Sequence, residues 1–169
     1  MTRMQRRPLR AQTLWISIFG VLAVTAYAVL AAVQILVLNP LAAAPGLTLE
    51  EIRFEMSSVG ESLGHGQAFF ILGIGVLLAL VVAVSSVVRR VAPIVPAMTF
   101  LALLMCGAFG YFAASFGAGM GLADTFGISG ADYSPWALPL YAVSALAGVA
   151  IVVVAIVTGA RRRPTTAPA

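Results

Sequence analysis

The sequence predicts an all-α, polytopic membrane protein, a four-transmembrane-helix bundle with a short amphipathic extracytoplasmic helix between the first two spans. Of its 169 residues, 61% are hydrophobic and 9% are charged, whereas soluble domains carry about 25% charged residues. Four apolar runs also reach the length of about 20 residues that a membrane-spanning helix needs. Because these runs occupy most of the chain, we expect residues 1–169 to form a single membrane domain.

The predicted spans are bounded by charges, prolines and caps. They cover about residues 14–38, 68–88, 94–119 and 136–157. The first contains no charge, and Arg89-Arg90 closes the second. Pro93 precedes the third, and Ser134-Pro135 precedes the fourth as an N-cap followed by a first-turn proline. Proline is tolerated there because first-turn N–H groups have no helical partner.

The arginines predict the orientation of the spans. Nine of the ten flank the spans at one end: Arg3, Arg6, Arg7, Arg10, Arg89, Arg90, Arg161, Arg162 and Arg163. Because basic residues remain on the cytoplasmic side, we expect both termini in the cytoplasm. All six acidic residues fall at the other end. The absence of lysine, together with abundant Ala, Val and Leu, indicates a GC-rich bacterial genome and hence a bacterial cytoplasmic membrane.

A cleaved signal peptide is an alternative interpretation of the first span. An arginine-rich start, an apolar run and small residues around Ala26 and Ala31 are all typical of one. The apolar run from Leu14 to Leu38 is longer than the roughly 7–15 residues of a signal peptide's apolar region. We therefore favour a retained span.

The polar segment between the first two spans predicts a helix over about residues 48–64. Thr48 and Glu51 fit a capping box, in which each side chain satisfies the other residue's backbone N–H. An apolar stripe follows at spacings of three and four, formed by Leu49, Ile52, Met56, Val59 and Leu63. Gly60 and Gly64 weaken its end. Since the opposite face is acidic, we expect this helix to cap the bundle rather than to bind anionic lipid.

Phe54 projects from the polar face of this predicted helix. An exposed aromatic side chain there would be a partner contact. The interpretation that we favour from the sequence is that Phe54 folds against the linker 39–46 or against the second outer loop.

Four titratable residues form a speculative outer polar cluster: Glu61, His65, Asp124 and Asp132. Glu61 and His65 would share a helix face if the outer helix extended that far. Two ligands do not complete a zinc site, which needs three or four. We therefore predict a solvated surface pair, with no metal and no cofactor.

Small residues recur at helix-packing spacing in the third and fourth spans. They are Gly110, Ala114, Ala118, Gly117, Gly121, Ser144 and Gly148. Small residues four apart let helix backbones approach closely in lipid. We expect these faces to pack within the chain, with packing between subunits as the alternative.

The predicted spans contain no Asp, Glu, His or Arg, the residues that proton-coupled transporters and membrane enzymes place there. The single Cys106 also excludes an internal disulfide. We therefore predict a noncatalytic accessory or scaffold subunit whose partners are the lipid bilayer and another membrane protein or a second copy, with no nucleic acid. A homo-oligomeric channel and a small-molecule or pH sensor at the outer end are the alternatives.

Overall fold

The described part of the chain is all-helical and contains four helices long and apolar enough to cross a membrane. The computed structural model describes residues 3–160, with side chains from residue 10 to residue 159, and this part contains no strand. The helices are α1 (Arg3–Val33), a π-helical segment (Gln34–Leu38), α2 (Asn39–Ala43), α3 (Leu49–Ser58), α4 (His65–Val88), α5 (Ile94–Met105), α6 (Gly107–Phe126) and α7 (Ala137–Ala160). Both α1 to α2 and α5 to α6 run on as single long rods, Arg10–Ala43 and Ile94–Phe126.

Helix α1 packs against α4 and α5, α4 packs against α6, and α7 packs against α5 and α6. The end of the bundle that carries Arg10, Arg89 and Arg90 is called here the arginine end. At this end the Thr13 hydroxyl donates a hydrogen bond to the Val91 carbonyl over 3.2 Å, which ties the α4–α5 connection to α1. The other end, called the acidic end, carries all six carboxylates. The side chains of Arg3, Arg6 and Arg7, and residues Arg161, Arg162 and Arg163, lie outside the described part.

Two of the predicted spans are longer at the acidic end than the sequence indicates. The first helix continues to Ala43 instead of ending near residue 38, and the third continues to Phe126 instead of fraying near Gly119. The predicted end of the third helix near residue 119 is therefore wrong. Gly117, Gly119 and Gly121 lie within α6 and let neighbouring groups approach the helix closely. The helix is capped by Gly127, whose φ of +65° suits a glycine C-cap.

The π-helical segment Gln34–Leu38 interrupts the first rod. The Asn39 N–H bonds to the Gln34 carbonyl, which is five residues earlier rather than four. Pro40 follows immediately and supplies a physical reason, because its ring crowds the carbonyl four residues earlier and it has no N–H to donate. The wider turn keeps the rod continuous while it turns Gln34 and Asn39 into the protein interior.

Helix α3 lies over the acidic end and packs against α2 and α6. Its capping box is present, with Thr48 N–H and hydroxyl donating to Glu51 Oε2 over 2.7 and 2.8 Å. Ile52 and Met56 are fully buried, as the apolar stripe predicts. Val59, by contrast, is 59% exposed because the helix ends at Ser58, where Gly60 adopts a φ of +82°.

The capping box makes the stability of α3 dependent on pH. The backbone N–H and then the hydroxyl of Thr48 lower the pKa of Glu51 below its ordinary value of 4.5. A carboxyl whose pKa is lowered by folding stabilises the helix above its unfolded pKa, and this contribution is lost as the pH falls through the folded pKa. We expect the α3 amides to exchange hydrogen severalfold faster below pH 4.5 relative to α4 amides. Glu51→Gln should exchange faster already at neutral pH and lose the pH dependence; an unchanged profile in this variant would contradict the assignment.

Candidate functional site

The four residues of the predicted outer polar cluster lie at the acidic end but do not form one site. Glu61 lies in the non-helical segment after α3, whereas His65 is the first residue of α4. The outer helix therefore does not extend as far as a shared helix face for Glu61 and His65 would require. Among the described residues, no hydrogen bond joins any two of the four, and no group of three or more His, Cys, Asp or Glu side chains is placed to hold a metal ion.

Asp132 instead joins two tyrosines from different helices. Its Oδ1 accepts a hydrogen bond from the Tyr111 hydroxyl of α6 over 2.5 Å, and its Oδ2 accepts one from the Tyr141 hydroxyl of α7 over 2.9 Å. The two rings meet edge to face with centroids 5.6 Å apart. Tyr111 is 1% exposed, whereas Asp132 and Tyr141 are open to the surface. The carboxylate thus clamps the α6–α7 loop onto both helices that the loop connects.

The first rod supplies the second half of this polar arrangement, through Gln34 in the π-helical segment and Asn39 at the start of α2. Asn39 Oδ1 accepts hydrogen bonds from the backbone N–H groups of Tyr133 and Ser134, over 2.7 and 3.3 Å. Gln34 Nε2 donates to the Ser134 carbonyl over 3.4 Å. Ser134 Oγ in turn accepts from the Trp136 N–H, as the predicted N-cap should. Two side chains of the first rod therefore position the start of α7.

A third polar contact lies deeper in the bundle. Ser144 of α7 donates to the Leu104 carbonyl over 2.8 Å and lies 3.3 Å from the Tyr27 hydroxyl of α1. The Tyr27 ring lies against Gly107, where a Cβ would come within 2.7 Å of it. These contacts coincide with the junction between α5 and α6 at Cys106, whose side chain is exposed.

Phe54 projects from α3 with 69% of its side chain exposed. The favoured prediction, that it folds against the linker 39–46 or the second outer loop, is therefore wrong. The side chains around it are hydrophilic and exposed, and they belong to Glu50, Arg53, Glu55, Ser57 and Ser58. Ile52 and Met56 anchor the opposite face of α3, so Phe54 is held outward by the helix geometry.

The small residues of the third and fourth spans pack mainly within the chain. Ala114 and Ala118 are 2% and 3% exposed. A Cβ on Gly121 would lie 2.9 Å from the Met56 methyl group, and one on Gly117 would lie 2.9 Å from the Gln67 amide oxygen. Gly148 faces Met105 at ordinary contact distance. Gly110 differs, since nothing lies within 4 Å of its Cβ direction.

Sequence reasoning identified Asp132 but did not assign the polar side chains of the helices to the α6–α7 loop, which they bond. Gln34, Asn39, Tyr111 and Tyr141 are polar positions isolated in or beside apolar spans. A single polar residue within an apolar run is the sequence signal that could have identified these positions. Polar side chains within lipid-embedded helices usually bond to another helix.

Over residues 3–160, the fold and these contacts define an all-α protein with four apolar helices of membrane-spanning length and a capped acidic end. Comparison of the chain with models of protein families, with curated proteins and with solved structures found no match.

Proposed function

We propose that this protein is a multi-pass protein of a bacterial cytoplasmic membrane, with both termini and the arginine end in the cytoplasm and α3 outside. No more than 33% of the most apolar stretch of any long helix is buried inside the chain. The remaining surface carries large apolar side chains such as Phe70, Phe109 and Leu138, exposed by 70%, 79% and 68%. A bundle whose helices are apolar all round requires lipid around it.

Labelling of single cysteines tests this orientation. In a Cys106→Ser background, Ser58→Cys on α3 is expected to react with a membrane-impermeant maleimide in intact spheroplasts. Ala92→Cys, at the arginine end, is expected to react only after the membrane is permeabilised. Both positions are exposed, so the two variants are matched in access. Reaction of Ala92→Cys in intact spheroplasts, or release of the protein by alkaline carbonate, would overturn the proposal.

Within this membrane frame, we propose that the protein is a noncatalytic accessory or scaffold subunit that binds a partner through the surface around Phe54. The exposure of this aromatic side chain on an anchored helix is the observation that carries the proposal. Buried aromatic side chains dominate the binding energy of interfaces. Helix α3 is capped and is held in place by the buried Ile52 and Met56. The backbone that carries Phe54 is therefore already ordered, and little conformational entropy of this helix is lost on binding.

The charges around Phe54 indicate the chemistry of the partner surface. Glu50, Glu51 and Glu55 lie on the same short helix, and Arg53 is the only basic residue there. A complementary partner would present an apolar pocket for the ring with a basic rim, because opposite charges across an interface favour encounter and register.

Photocrosslinking tests this contact. A benzoylphenylalanine at position 54 is expected to capture a second membrane protein in native membranes, identified by mass spectrometry after mild-detergent purification. Phe54→Ala should reduce recovery of that protein by at least about tenfold, as expected for the loss of an aromatic anchor. Leu138→Ala is the matched control, since this side chain is 68% exposed but lies on α7.

The outcomes separate the alternatives. Capture of a second copy of the chain at position 54 would support self-assembly instead of the accessory function. Flux measurements in liposomes would then test whether the assembly is a channel. Purification of the chain alone as a monomer, with no capture from position 54, would overturn the accessory proposal while leaving the membrane topology to its own test.

A further inference from the structure

An apolar groove of about 450 Å³ runs between α1 and α4 at the arginine end of the bundle. Its walls are formed by Leu14, Ile18 and Val21 from α1 and by Val84, Val87 and Val88 from α4, among others. Ser17 is the one residue with a polar side chain among those that line it. The walls thus match a hydrocarbon chain rather than a polar metabolite.

A second hollow of about 390 Å³ lies beside the first on α4. It shares Val84 and Val88 with the groove, so these two side chains form a ridge between two apolar depressions. Arg89 forms part of its wall. Two apolar depressions on either side of one ridge suit the two acyl chains of a single lipid molecule.

Positive charge lies where the groove meets the end of the bundle. Arg10 precedes Leu14 by one helical turn and therefore lies on the same face of α1. The bond from Thr13 to the Val91 carbonyl holds the connection that carries Arg89 against this part of α1. Both arginines are exposed, and all six carboxylates belong to segments at the acidic end. This charge is complementary to an anionic headgroup.

Ser17 provides an independent indication of a ligand. Its side chain is 2% exposed, and its hydroxyl has no hydrogen-bond partner among the described residues. A buried hydroxyl without a partner is destabilising. Ser17 is seven residues beyond Arg10, which is about 10 Å along the helix axis. An ester carbonyl of a phospholipid lies deeper in the membrane than its phosphate and would supply the missing acceptor.

We infer that the groove between α1 and α4 is a binding site for one anionic diacyl phospholipid. Its acyl chains lie on either side of the Val84–Val88 ridge, its phosphate lies between Arg10 and Arg89, and an ester carbonyl accepts from the Ser17 hydroxyl. The inference rests on the membrane insertion and orientation proposed above and is independent of the partner contact at Phe54.

Native mass spectrometry of the full chain in mild detergent tests the headgroup. Phosphatidylglycerol and phosphatidylcholine with the same two acyl chains are titrated against each other. We expect phosphatidylglycerol to be retained preferentially and Arg10→Gln with Arg89→Gln to weaken its binding about fivefold for each arginine, equivalent to about 1 kcal/mol each. Arg53→Gln, at the acidic end, is the matched control and should change nothing. Equal retention of the two lipids, or equal effects of the arginine variants and the control, would overturn the site.

Filling the groove tests the acyl-chain position separately. Ala83→Phe adds a ring to a residue that lines the groove and is expected to weaken phosphatidylglycerol binding about tenfold. Leu77→Phe changes an exposed residue on the same helix outside both depressions and should leave binding intact. Displacement of the lipid by millimolar glycerol 3-phosphate would show a site for a free phosphate compound and overturn the inference. Carbonate extraction tests membrane insertion alone. A failure of the proposed membrane insertion can therefore be distinguished from a loss of lipid selectivity in a protein that is inserted.

Discussion

Gly20→Ala is expected to lower the free energy of unfolding by about 1–3 kcal/mol, the usual cost of overpacking a filled core. A Cβ at this position would lie 2.3 Å from two ring atoms of Phe100, including Cγ, which cannot move without moving the whole side chain. Phe100 is 4% exposed, so its ring has no open space to enter. The single methyl group therefore forces α1 and α5 apart. The measurement is equilibrium unfolding in mixed micelles, followed by circular dichroism.

Gly73→Ala is the matched control for this prediction. Gly73 also lies within a long apolar helix, but nothing lies within 4 Å of its Cβ direction. Because alanine favours the helix over glycine by up to about 1 kcal/mol, this variant should be as stable as the parent or slightly more stable. Phe100→Leu combined with Gly20→Ala should cost less than the sum of the two single changes. Equal costs at Gly20 and Gly73 would contradict the close approach of α1 and α5.

Asp132→Ala is expected to destabilise the fold more than Tyr111→Phe does, although both remove the same hydrogen bond. Asp132→Ala leaves the hydroxyl of Tyr111, a residue 1% exposed, without its acceptor. An orphaned buried polar group costs about 1–3 kcal/mol. Tyr111→Phe removes the donor itself, while Asp132 keeps its bond to Tyr141 and its contact with solvent. The loss should then be nearer the net value of one hydrogen bond, about 1 kcal/mol.

The double variant and a control separate this effect from general damage to the loop. Asp132→Ala with Tyr111→Phe should be more stable than Asp132→Ala alone, because the orphaned hydroxyl is gone. Tyr141→Phe should cost little, since Tyr141 is 40% exposed and water can replace its partner. If the double variant were less stable than Asp132→Ala, the unpaired Tyr111 hydroxyl would not explain the destabilisation caused by Asp132→Ala. Thermal denaturation of the purified chain in mild detergent provides the comparison.

Most of the architecture could be predicted from local sequence signals. The spans of α4 and α7 begin and end within a few residues of their predicted bounds, because charges, prolines and caps act on the helix that contains them. The Thr48–Glu51 capping box could also be predicted, because it joins two residues only three positions apart. The bounds of the first and third rods at the acidic end could not be predicted in this way. Pro40 and the glycines of residues 117–121 weaken an isolated helix, so local propensity does not predict a helix that continues through them.

The candidate site was predicted less well than the fold. The predicted group of Glu61, His65, Asp124 and Asp132 was assembled from residue type and from the end of the bundle on which each falls. Of these four, the structure joins only Asp132 to other side chains by hydrogen bonds, and those are the tyrosines Tyr111 and Tyr141 of the two helices on either side of its loop. Phe54 was assigned a buried contact that it does not make.

The sequence by itself determined the helical class, the number of long apolar helices and the separation of nine of the ten arginines from the six carboxylates. These properties follow from the composition, from the spacing of apolar residues and from the length of each apolar run. All three can be counted within one helix, without knowing what packs against it. The tertiary structure decided which small residues pack against another helix, that the Tyr111 hydroxyl bonds to Asp132, and that Phe54 remains exposed. Each of these depends on distances between segments distant in sequence, and such distances are set only when the helices pack together.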